Sequence, residues 1–283
     1  PFFRIVVKPN DGGVIDEMVL VREEFCISNV LTRRPEIYHD QVRHALTTNS
    51  DDIASAHDLV LAKEENLAEH IHYDRYIRAN FRDRLFHSLP DMESTIRDNC
   101  EEIAGFSALS YAVETAKRKD EVYAKCTGVF DVQAENGPSS IAIEKCFTLS
   151  VDKSLLKANY RFRNDSQRQC HCQWGVEFNL TLLAGDAPDR KILVGDKEFA
   201  PVDNFEENTS SVVLIDGWQN IRFEIDFHRK LFLRAYPVES VSQSESGFER
   251  NYQGTCLTAY SPIDIAPGAC LEYEIVMKIA STK

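Results

Sequence analysis

Most of this chain alternates between apolar and polar residues with a period of two. Val122, Ala124, Cys126 and Phe130 alternate with polar or charged neighbours, as do Ile141, Ile143, Phe147, Leu149 and Val151. Leu156, Ala158, Tyr160 and Phe162 repeat the pattern, and Trp174, Val176, Phe178, Leu180 and Leu182 give its cleanest form. Ile221, Phe223, Ile225 and Phe227 follow, then Leu271, Tyr273, Ile275, Met277 and Ile279. Side chains of a strand point alternately to its two faces, so these runs predict strands with one buried face. Residues 2–8, rich in aromatic and β-branched types, and 14–21 predict two further strands around the turn signal Asp11-Gly12-Gly13. Strands that follow one another without helices between them pair antiparallel, and many of them predict a sandwich.

Between about residues 35 and 105 the period changes. Ile37, Val42 and Ala45 sit among polar residues at irregular helix-like spacing, and Ala62–His72 favours helix. Short helices and irregular structure are expected there. The expected fold is therefore mainly β, an antiparallel sandwich of residues 1–283 with a few short helices in its first third. There is no internal repeat and no low-complexity segment.

Composition narrows the function. The formal net charge is −13, which repels phosphate backbones and anionic membranes, so nucleic acid and membrane are not expected partners. A neutral ligand such as a sugar is not penalised. No apolar run approaches the roughly 18 residues of a membrane helix, and the opening residues lack a signal-peptide pattern. Cys170-His171-Cys172 is too closely spaced for a zinc knuckle and reads as strand, so neither metal nor cofactor is expected. Most of the cysteines fall inside apolar alternation, where a free thiol behaves as a small hydrophobe. With reduced thiols the expected compartment is the cytoplasm.

Candidate chemistry sits in four places. Glu177 and Asn179 share the face of the Trp174 strand opposite its apolar residues. They suit sugar hydroxyls, or a solvated sheet face. Arg33, Arg34, Glu36, Tyr38 and His39 are crowded into seven positions. They read as ligand contacts or as a loop pinned by Arg–Glu pairs. Tyr73-Asp74-Arg75-Tyr76 with Arg78 and Asp83 reads as a sugar platform or as a buried ionic network. The run Glu239–Glu249, with Gln243 and Glu245, is too polar for a core strand, and Pro237 ahead of it discourages one. It is expected to be an ordered, partly exposed loop in which Glu239 or Glu245 pairs with Arg33 or Arg34. None of the common nucleophile-elbow, zincin, P-loop or dinucleotide motifs is present.

Taken together, these clusters resemble the C-terminal β-sandwich region of glycoside hydrolase family 57, the α-amylase and 4-α-glucanotransferase group. The resemblance rests on Pro9–Glu17 with Val30–His39, on Tyr73-Asp74-Arg75 with Arg78 and Asp83, on Val176–Leu182, and above all on Pro237–Glu249 continuing to Gln253-Gly254. It departs at Asp83-Arg84, where the family tends to carry Asp-His, so no role of that His carries over. The resemblance implies a galactose-mutarotase-like supersandwich, and a catalytic carboxylate pair in a preceding barrel of the same polypeptide. The chain is then a fragment of a longer enzyme, with the barrel and an α-glucan or other neutral carbohydrate as partners. The alternative is a free-standing mutarotase or epimerase pairing His39 or His171 with Glu177 or Glu245.

The placement of the cysteines gives a first test. Thiol titration in denaturant without reductant should find all eight reduced; two or more native disulfides would contradict this reading.

Overall fold

A computed structural model describes residues 3–45, 66–103, 105–134, 137–150, 153–244 and 247–281. Strands β1 (Phe3–Lys8), β2 (Val14–Leu20) and β3 (Phe25–Cys26) form a small antiparallel sheet. Next come helix α1 (His39–Ala45), a 3-10 turn over Leu67–His70, strand β4 (Arg82–Phe86) and helix α2 (Met92–Ile96). Then strands β5 (Ala112–Arg118), β6 (Glu121–Ala134), β7 (Gly137–Ser150), β8 (Leu155–Asn164) and β9 (Cys170–Leu180) follow. The chain finishes with β10 (Arg190–Val194), β11 (Lys197–Phe199), β12 (Phe205–Asp216), β13 (Ile221–Ser244), β14 (Gly247–Ile265) and β15 (Cys270–Ser281).

One layer has the strand order β11-β10-β12-β13-β15-β8-β7-β6-β5, and the other continues from β13 through β14 and β9 to β4. All the pairings are antiparallel. Strand β13 belongs to both layers: Ile221–Asp226 pairs with β15, and Phe232–Ser244 pairs with β14. Between the two stretches the chain bends at His228, whose φ is 55°, opposite a register shift in β12 between Thr209 and Ser211. Bends of this kind let a strand pass from one sheet to the next.

The layers meet face to face. Trp174 of β9 packs against Tyr160 and Phe162 of β8 and Tyr273 of β15, with ring centroids 5.1, 5.4 and 4.7 Å away. Its indole N–H donates to Asp83 Oδ1 at 3.0 Å, which satisfies the one polar atom of a fully buried ring. Asp83 also pairs with Lys145 Nζ at 2.6 Å. That ammonium, wholly buried, donates to the carbonyls of Gly12 (3.1 Å), Gly13 (3.2 Å) and Phe81 (2.8 Å), so it ties the small N-terminal sheet to the sandwich. Gly12 is required in this turn. Its φ is 73°, and a Cβ there would lie 2.4 Å from the Ser107 carbonyl oxygen.

The mainly β, antiparallel expectation is met, and so is a first third with short helices. The structure differs in four places. Within the stretch expected to be irregular or helical, β4 is a strand buried along its whole length, so it shows no alternation. From Gly175 onward β9 is buried on both faces, so the Glu177–Asn179 face is not a solvated surface. The polar run at Glu239–Glu249 is not a loop: residues on both sides of its tip pair in the β13–β14 hairpin, which extends to Ser244↔Gly247. Pro237 is tolerated because β12 pairs with β13 no further than Ala235, so no ladder bond is needed on that flank. The predicted helix over Ala62–His72 is a 3-10 turn at Leu67–His70, and residues 62–65 lie outside the described residues. None of the eight cysteines is in a disulfide.

Removing one member of a buried ion pair strands the other charge, at a cost of about 3–5 kcal/mol. Lys145→Met should therefore lower the unfolding free energy in urea by about that amount. A loss below about 1 kcal/mol would show that the pair does not hold the two sheets together.

Candidate functional site

Arginine is always charged and offers a planar fork, so a buried arginine must be matched by carboxylates. Beneath the hairpin arm, Arg33, Arg75, Arg78 and Arg84 are matched by Asp74, Asp98, Glu102 and Glu177. Asp74 is the hub. It accepts from the Arg33 backbone N–H (2.7 Å), from Arg33 Nε (3.0 Å) and Nη2 (2.6 Å), and from Arg78 Nη2. Burial alone would raise the Asp74 pKa, but the Arg78 and Arg33 guanidiniums outweigh it and hold the carboxyl at about 2. Arg78 Nη1 also donates to Tyr236 Oη (3.0 Å) and reaches Glu177 and Asn179 (both 3.4 Å). Arg84 bridges Asp98 (2.8 Å), Glu102 (3.0 Å) and Glu177 (3.6 Å).

Above this network lies an open cleft of about 890 Å³. Its walls come from His70 and His72, from α2 with Arg97, from the Gly185–Asp186 turn, from Val202 and Asn204, and from the base of the β13–β14 arm. A second depression of about 480 Å³ shares Arg33, His70, His72 and Glu239 with it. His72 is half-buried. Burial first, then the Arg33 and Arg97 charges, lower its pKa to about 4, so the imidazole is neutral at neutral pH.

The structure gathers Arg33, Arg34, Glu36, Tyr38, His39 and Glu239 around the second depression. Arg34 and Glu36 are exposed. Tyr38 Oη donates to the Val241 carbonyl at 3.3 Å, and its ring lies 6.0 Å from that of Phe248. His39 is buried. Its Nδ1 accepts from the Glu36 N–H and faces Tyr73 Oη, both at 3.2 Å, which places the proton on Nε2, 3.3 Å from the Val241 carbonyl. These bonds fix α1 and its lead-in to the arm.

Glu177 and Asn179 do not line the depression. They lie beneath it, with the Asn179 amide donating to Glu177 (2.7 Å) and to the Ala79 carbonyl (2.9 Å). Arg33 does not pair with Glu239: it is taken by Asp74, and Glu239 pairs with Arg250 at 3.2 Å. Gln243 is exposed near the tip of the arm, and Glu245 lies outside the described residues. The histidine–glutamate pairs do not form around Glu177, whose partners are Arg78, Arg84 and Asn179. His171 is exposed six residues back along the same strand, roughly 20 Å away. His70, His72, Asn204 and Asn251 were not singled out from sequence. The pair His70-Ile71-His72, two histidines one residue apart at the end of the 3-10 turn, was the available signal.

A supersandwich in which one long strand serves both layers is a galactose-mutarotase-like fold. The structure matches a galactose mutarotase-like protein from Clostridium acetobutylicum with a TM-score of 0.57 at 11% identity, over 99% of this chain and 93% of that one. It matches the crystal structure of 4-alpha-glucanotransferase from Thermococcus litoralis with a TM-score of 0.71 at 21% identity, over 98% of this chain and 36% of that one. The family described as alpha-amylase/4-alpha-glucanotransferase, C-terminal, matches residues 2–275, and the chain belongs to it. Alpha-amylase 1 of Dictyoglomus thermophilum is 31% identical over 95% of this chain, which spans 38% of that protein's length. An alpha-amylase of Pyrococcus abyssi is 25% identical over 93% of the chain and 36% of its own length.

The depressed Asp74 pKa makes a signed prediction. A carboxylate lowered from 3.8 to about 2 stabilises the fold above its unfolded pKa, and that stability is lost as pH falls from about 4 through about 2. Asp74→Asn should be destabilised at pH 7, and its deficit against the wild type should narrow by about 2 kcal/mol between pH 5 and pH 2 in urea titrations. A deficit that stays constant over that range would show that Asp74 is not the hub of the network.

Proposed function

We propose that this chain is the non-catalytic, carbohydrate-associated β-sandwich part of a family 57 α-amylase or 4-α-glucanotransferase. In this reading it packs on the catalytic barrel of the same polypeptide, takes α-glucan as its ligand class, and works in the cytoplasm, where its thiols stay reduced. The observation that carries the reading is the match of nearly the whole chain to a C-terminal family, while the chain spans only 33% to 38% of the length of its curated relatives.

The chemistry of the site supports the non-catalytic half. A retaining glycosidase needs two carboxyls roughly 5 Å apart, one of them kept protonated by its surroundings. Here the four carboxylates buried beneath the arm are each bound by guanidinium groups, and Asp74 is pushed towards ionisation rather than protonation. Docking on a barrel is supported by Leu31 and Ile37, 52% and 92% exposed, which flank Arg34 and Glu36 beside the arm. Large apolar side chains left exposed beside charged ones mark surfaces that a partner covers.

The purified chain should show only background hydrolysis or transfer on soluble starch and maltoheptaose, and only background mutarotation of α-D-glucose by polarimetry. A kcat of order ~1 per second or more in any of these assays would overturn the reading.

A further inference from the structure

We propose that the cleft between the His70–His72 segment and the base of the hairpin arm is a binding site for several units of a neutral, α-linked glucan. The ligand class rests on the function proposed above; the location rests on the cleft itself. At about 890 Å³ it falls within the roughly 300–1,000 Å³ of ordinary small-molecule sites, so it holds more than one sugar ring.

Charge selects the ligand. Three guanidiniums line the cleft, and each is already held by a carboxylate: Arg33 by Asp74, Arg97 by Glu93 at 3.0 Å, and Arg250 by Glu239 at 3.2 Å. Glu69 and Asp186 stand on the same walls. A phosphate or carboxylate ligand would have to compete with those partners and face the remaining acids. A neutral polyol does neither.

Polar and apolar groups then match the two sides of a sugar. A hydroxyl is donor and acceptor at once, and a neutral imidazole presents one nitrogen of each kind. His72, half-buried on the cleft wall and held neutral first by burial and then by the Arg33 and Arg97 charges, is such an imidazole. The Asn251 amide is fixed by donating to Ser242 Oγ at 2.6 Å, and it keeps its carbonyl oxygen as an acceptor. Met92, Ile96, Val202, Pro237 and Tyr252 supply the apolar surface that the C–H face of a pyranose ring requires. The frame is stiff: Arg33, at its floor, also donates to the Ile96 carbonyl at 2.8 Å and so links the network below to α2. A site built this way loses little entropy on binding.

The test is calorimetric titration of the whole chain with maltohexaose, cellohexaose and inorganic phosphate. Maltohexaose should bind, cellohexaose should bind more weakly, and phosphate should neither bind nor compete. His72→Ala and Asn251→Ala should each weaken maltohexaose binding about tenfold, the worth of one well-placed hydrogen bond. Asn204→Trp places a large ring at the exposed rim; it should abolish binding while leaving the thermal unfolding midpoint unchanged, so it decides the matter if His72→Ala fails to fold. Three results would overturn the site: no maltohexaose binding by the wild type, binding unaltered in Asn204→Trp, or displacement of maltohexaose by phosphate. Each of these leaves the non-catalytic reading standing, because only turnover by the chain overturns that.

Discussion

Three buried arginines and four carboxylates, joined at the surface by Arg75, set the terms for the rest of this molecule. They join the Arg33 segment, the Asp74–Arg84 stretch, the Asp98–Glu102 turn, the inner face of β9 and Tyr236 of β13. Each is held because the charge it brings is matched only when the others are in place. Buried ion pairs are weak as net stabilisers, yet removing a single member is costly. Such a network therefore selects one arrangement from many. Electrostatics positions Arg33, Asp74–Arg78 and Asp98–Glu102, while Ile15, Met18, Leu20, Phe81 and Leu85 of the same third join the apolar core of the sandwich.

That division explains what was legible in the sequence. Strands with one wet face advertised themselves: Leu156, Ala158, Tyr160 and Phe162 are buried, and the residues between them are less so. Strand β4 and the middle of β14 were silent, because Arg82–Phe86 and Gly254–Tyr260 are buried on both faces and no alternation survives. The Glu239–Glu249 run read as a loop for the opposite reason. Its polar residues satisfy one another across the hairpin, as in Asn251 to Ser242 and Gln253 to Ser240 at 2.9 Å. Composition cannot tell self-satisfied polar strands from solvated loops.

The site residues divide along the same line. The network reading of Tyr73–Arg78 describes Asp74 and Arg78, whereas the Arg–Glu pairing expected for Arg33–His39 gives way at Arg33 to a pair with Asp74. The partners were not legible, because separation along the sequence does not say which acid lies beside an arginine in the fold. Arg33 found Asp74, 41 residues on, and left Glu239 to Arg250. The cleft walls were hidden because they come from segments far apart in sequence that meet only in the fold.

Strand β13 adds a mechanical constraint. Its 24 residues are shared, the first stretch bonded into one layer and the second into the other. Two independent sheets packed face to face can shear past each other by small slips of their side chains. Here a slip would have to move the backbone of a single strand against β15 at one end and β14 at the other, in registers fixed separately. The layers are therefore locked like two boards on one dowel, and a load applied to the hairpin arm reaches the far sheet through covalent backbone rather than through side-chain friction.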